Sequence, residues 1–152
     1  MSRGRAVAVL DAGPIPFSAL PNAADHSCRW ITAGSLNQLA RPGLARTGFY
    51  ERVMAAGGIE SYLRGARFRL VQVRLADLGD AIPGELSSLE RSTLKRLRAR
   101  YRAGQPVDAP VLWRNPDPDV DWDIIDGTHR LVAARQVGRM ELPVYELLAP
   151  AR

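Results

Sequence analysis

The chain has 152 residues, 46% of them hydrophobic and 24% charged, which suits about one globular domain and excludes a wholly disordered protein. A single cysteine, Cys28, excludes an internal disulfide framework. The net charge is +5, and the basic residues are arginines apart from Lys95, so an anionic partner such as a nucleic acid, a nucleotide or an acidic protein surface is expected unless the arginine bias only follows base composition.

The N-terminal apolar run, residues 6–10, stops at Asp11. That is short of the roughly 7–15 residues of a signal peptide, and no run nears the roughly 18 of a spanning helix. A soluble cytoplasmic chain without a membrane segment is expected. Residues 6–10 suit a strand. Residues 11–42 are rich in Pro and Gly and weakly periodic. Residues 48–56 read as a helix ended by Gly57 and Gly58, and 59–64 as a second short helical piece. Residues 1–66 are expected to form an extension packed on a core domain over 67–149.

In that domain, residues 68–75 alternate charged or polar with apolar side chains, as a half-buried strand does. Leu86, Leu89, Leu94, Leu97 and Tyr101 then recur at threes and fours, giving a helix with Ser87 or Ser88 as N-cap and Gly104 as stop. Arg91, Lys95, Arg98 and Arg102 form one basic stripe beside that apolar face; Arg96 and Arg100 add to the charge of the segment, and only Glu90 opposes it. The excess charge therefore sits on this helix, whereas residues 105–152 carry a net charge of −3. Residues 109–113 read as a strand, 115–119 as a turn rich in Pro and Asp, and 122–125 as another strand. A helix over 129–137 ends at Gly138, and 143–148 is a last strand. The core order is strand, helix, strand, strand, helix, strand: an α/β (α+β) arrangement.

The junction at Asp126-Gly127-Thr128-His129-Arg130 is the main site candidate. An apolar strand turns at a glycine straight into a helix, whose first amides have no partner within the helix and whose dipole is positive there. Gly127 permits close approach, and Thr128, His129 and Arg130 add a hydroxyl, an imidazole and a guanidinium fork, which together suit an anion. A plain capped helix start accounts for the same residues equally well. Asp117, Asp119, Asp121 and Asp123 alternate as a solvated hairpin rim would. Trp113 and Trp122 could stack bases but suit the core edge better. His26 beside Cys28 lacks the further ligands of a zinc site.

Gly127, Arg130 and Ala133 resemble the Gly-x-x-Arg-x-x-Ala motif of the ParB/sulfiredoxin superfamily, in which a strand runs into a phosphate-binding helix start. The segments 104–113 and 138–144 are similar to the family's flanking elements, so the resemblance covers roughly residues 67–149. It implies a small mixed sheet and a nucleotide site. Thr128 stands where sulfiredoxins carry their cysteine, which excludes sulfinic-acid reduction. Chromosome-partitioning members carry Gly-Glu-Arg-Arg and a following helix-turn-helix domain, neither of which this sequence has.

The branches left are stand-alone ParB-like nucleases, plasmid fertility-inhibition proteins that hydrolyse ATP and cleave DNA, and kinases for free serine with an Asp-Gly-His-His-Arg motif. The resemblance implies ATP and Mg²⁺ as cofactors. Phosphates would lie on Gly127, Thr128, His129 and Arg130, faced by Arg91, Lys95 and Arg98. DNA would lie on Arg96, Arg100 and Arg102. Asp126, Glu85 or Glu90 would orient water or hold the metal, Asp126 being nearest in sequence, and His129 and Arg130 would complete the catalytic set. A non-enzymatic inhibitor that meets a protein partner through residues 1–66 is the remaining alternative.

Overall fold

The computed structural model describes residues 8–10, 13–20, 49–82, 90–114 and 122–148. They form a mixed α/β structure around one six-stranded sheet. The short strands β1 (Ala8–Val9) and β2 (Ile15–Pro16) both pair antiparallel with β3 (Arg67–Arg74). The N-terminal region thus adds backbone to the same sheet. Between them in sequence lie α1 (Phe49–Ala55) and α2 (Ile59–Gly65). After β3 come a 3-10 segment (Leu75–Ala81), α3 (Arg91–Arg102), β4 (Val111–Arg114), β5 (Trp122–Asp126), α4 (Thr128–Gln136) and β6 (Glu141–Leu148). From β3 onward this is the element order expected from the sequence.

The sheet order is β1-β3-β6-β4-β5, so the last strand in sequence lies in the middle. β6 runs antiparallel to β3 over their full length and parallel to β4. Alternation then sorts the side chains by face. Val71, Val73, Leu112, Leu142 and Val144 form one core with Leu94, Leu97 and Tyr101 of α3 and Leu131 to Ala134 of α4. On the opposite face Phe68, Val111, Trp113 and Leu147 are buried. Arg52 of α1 lies 5.9 Å above the Trp113 ring, which places α1 on that side. Each large apolar side chain so buried contributes about 1.5–3 kcal/mol.

α3 buries Leu94, Leu97 and Tyr101 and turns its arginines outward. Glu90, just before the α-helical run, is itself in helical conformation (φ −95°, ψ −2°) and makes no side-chain cap bond. Ser87 and Ser88 lie outside the described residues, as does Glu85. The helix stops where expected. Gly104 takes φ +69°, the Gln105 amide donates to the Arg100 carbonyl at 3.0 Å, and the Gly104 amide donates to that of Tyr101 at 3.2 Å.

α4 buries four successive residues, Leu131, Val132, Ala133 and Ala134. At 100° per residue these point in every direction, so the helix is enclosed on all sides. α3 and α4 run parallel: Glu90 meets His129, Arg98 meets Gln136, and Arg139 meets the Tyr101 carbonyl. Both helices therefore begin at the same end of the molecule. Among the described residues no helix is long and apolar enough to cross a membrane.

Candidate functional site at the joined helix starts

The strand–helix junction is built around Gly127. It takes φ +101° and ψ +26°, the left-handed region, and its carbonyl accepts the first bond of α4 from the Leu131 amide at 3.0 Å. A Cβ there would lie 2.7 Å from the Pro110 Cβ, 3.0 Å from the Pro110 Cα and 3.1 Å from the Arg130 Nε. Both the backbone angle and the space thus require glycine. Just before it, the β4–β5 register steps from Val111↔Asp126 to Leu112↔Ile124, leaving Ile125 as an extra residue. Such a bulge bends a strand at its end and is common beside functional sites. Asp126 is the last residue of β5, paired with Val111.

Thr128, His129 and Arg130 form the first turn of α4 and are half-buried. The His129 Nε2 lies 3.2 Å from the Glu90 Oε1, with both side chains about one-third exposed (34%). A carboxylate and an imidazole thus meet across the starts of two parallel helices. Both helix dipoles present their positive ends here, where an anion is favoured. Arg91 at the first position of α3 and Lys95 one turn on are exposed near the same end.

Two residues expected to meet phosphates are engaged elsewhere. The Arg130 Nη1 donates to the Asp108 carbonyl at 3.0 Å and to the Ala109 carbonyl at 3.3 Å. It ties α4 to the segment leading into β4, and its guanidinium also lies close enough to Tyr101 to act on that hydroxyl's charge. The Arg98 Nη1 donates to the Gln136 Oε1, at the far end of α4. The cause is the parallel packing. At about 1.5 Å per residue the basic stripe runs away from the junction, so only Arg91 and Lys95 stay near it. Arg96, Arg100 and Arg102 are exposed on α3.

Burial raises the Tyr101 hydroxyl above its ordinary pKa, against the opposing pull of Arg130 and Arg139. Burial likewise raises Tyr62, against Arg52. Among the described residues no group of three His, Cys, Asp or Glu gathers as a metal cage. The aspartates at 117, 119 and 121, with His26 and Cys28, lie outside the described residues. Trp113 and Trp122 are 3% and 2% exposed, so neither offers a ring face for stacking bases.

A second polar cluster had no place in the sequence reading. Glu146 is 4% exposed and lies 2.7 Å from the Arg69 Nη2 and 3.4 Å from the Arg114 Nε. Arg114 also lies 5.0 Å above the Trp122 ring. The alternation of β6 held the signal. Leu142, Val144 and Glu146 share a face, so a strand that buries the first two buries the carboxylate as well.

Compared with protein-family models, curated proteins and solved structures, the chain gives no match.

Proposed function

We propose that this chain is a nucleotide-binding protein of the ParB/sulfiredoxin kind. It hydrolyses ATP in a reaction coupled to DNA binding or cleavage, a chemistry suited to interference with DNA transfer. The observation that carries the reading is the Glu90–His129 pair at 3.2 Å across the starts of two parallel helices. The phosphates lie against the amides of residues 127–129, with Arg91 and Lys95 neutralising charge from α3. Positioning and charge neutralisation are the main terms in phosphoryl transfer. Glu90, held by His129, accepts the proton of the attacking water as the bond between the β–γ bridging oxygen and the γ-phosphorus breaks and ADP leaves.

Mg²⁺ usually keeps several waters and takes one or two carboxylates plus the phosphates themselves. Asp126, the last residue of β5, is the carboxylate nominated to hold such an ion, which would neutralise developing phosphate charge. Arg130 acts as a positioning residue, since its fork secures the turn to the 108–109 carbonyls. The test is phosphate release and plasmid integrity with ATP and Mg²⁺. Turnover is expected, and Glu90→Gln should lower it by about 10²–10⁴-fold, the usual contribution of a general base. No turnover and no ATP binding by the wild type would overturn the reading.

The same Glu90–His129 pair suits proton removal from a substrate hydroxyl, which makes transfer to free serine the second reading. Serine-dependent ADP formation separates the two.

A further inference from the structure

We infer that α3 carries a duplex-DNA docking ridge that follows phosphates and reads no bases. This rests on the DNA partner proposed above but not on the nucleotide site. Arg91, Lys95, Arg96, Arg100 and Arg102 are all exposed, on a helix whose apolar face is fully engaged in the core. Arg139 extends the ridge, since its Nη2 donates to the Tyr101 carbonyl at the end of α3. Over about 16 Å of helix axis, Arg91, Lys95 and Arg102 line one edge of the outward face and Arg96 and Arg100 the other, about 140° round, so the ridge presents two rows of cations to a duplex.

Arg100 and Arg102 suit the dipole at the C-terminal end of α3, but much of the remaining charge works against the helix that bears it. Arg91–Lys95, Arg96–Arg100 and Arg98–Arg102 are like-charge pairs four residues apart, which destabilise a helix. The first turn holds no acid and opens on Arg91, against the dipole. Glu90, just before the helix, faces His129. A helix selected for stability alone would intersperse acids here; this one keeps its repulsion for a polyanion.

Duplex is favoured over single strand because the described aromatics nearest this side are enclosed. Tyr101 is 6% exposed and lies under Arg139, and Trp122 lies under Arg114. Single-strand binders stack bases on exposed rings, and α3 offers none among its described residues.

The test is fluorescence anisotropy without nucleotide. It uses two unrelated 20-base-pair duplexes, the matching single strands, and poly-glutamate as competitor. The five exposed cations of α3 with Arg139 should give a log–log salt slope of about −5.4, or about 1,800-fold weaker binding from 50 to 200 mM salt. The two duplexes should bind within about twofold of each other. The triple variant Arg96→Gln, Arg100→Gln, Arg102→Gln should lose about 2.7 units of slope, at about 0.9 per phosphate, while its melting temperature holds or rises.

Tighter binding of single strands, a strong preference between duplexes, or wild-type binding by the triple variant would each overturn the ridge. Displacement by poly-glutamate as effective as by duplex would reassign the face to an acidic protein. Missing ATP hydrolysis with intact duplex binding counts against the nucleotide site alone, and the converse counts against the ridge alone.

Discussion

Gly127, Arg130 and Ala133 each have a packing role that stands without any ligand. Gly127 takes a left-handed angle against Pro110, Arg130 fastens the turn to two carbonyls, and Ala133 is fully buried on α4. The strand-to-helix junction was legible in the sequence because a glycine between an apolar strand and an apolar helix marks how one enters the other. Gly127→Ala should therefore destabilise the protein with no ligand present. The left-handed angle costs about 1 kcal/mol or more for a residue with a Cβ, and overpacking adds about 1–3 kcal/mol. At about 2–4 °C per kcal/mol for a chain of this size, the melting temperature should fall by roughly 5–15 °C. A fall under about 2 °C would show that Pro110 gives way and that the turn tolerates a side chain. The Glu90–His129 pair was legible only as two separate candidates. Their meeting depends on a parallel helix packing that no local pattern encodes.

Among the elements, β3, β4, β5 and β6 were readable from alternation and turn residues, and α3 from its Leu and Tyr spacing. The α-helical part of α3 begins at Arg91, with Glu90 already in helical conformation before it, and the expected caps Ser87 and Ser88 lie outside the described residues. The middle position of β6 was not readable either, since sheet order depends on long-range pairing. That position matters most for Glu146. In a central strand its carboxylate cannot reach water, and it lies between Arg69 and Arg114. Removing one member of a buried ionic group typically costs 3–5 kcal/mol. Both arginines are about one-third exposed (34% and 32%), so water recovers part of that. Glu146→Gln should cost about 2–3 kcal/mol by chemical denaturation, and Arg69→Ala combined with it should cost less than the sum of the two singles. Additive losses would mean that the three groups act independently.

For the whole molecule, the choice of arginine over lysine sets how the protein responds to alkali. Arginine keeps its charge above pH 12, so a basic surface with Lys95 as its one lysine does not discharge near pH 10 as a lysine-rich one would. The chain has four tyrosines, and burial raises two of them, Tyr62 and Tyr101, above their ordinary value. The unfolded chain then loses the tyrosine proton first. The stability linked to these groups is complete below about pH 10, the unfolded value, and is lost as pH rises toward the folded values. Melting temperature should hold from about pH 7 to 9 and fall above about pH 10, and Tyr101→Phe should make that fall shallower. Duplex affinity should change little from about pH 7 to 9, since arginine as a side-chain type keeps its charge throughout that span. A steady loss of duplex binding between pH 8 and 10, with the melting temperature unchanged, would assign the interaction to groups other than these arginines. An alkaline fall unaffected by Tyr101→Phe would place the titrating group outside the core between α3 and α4.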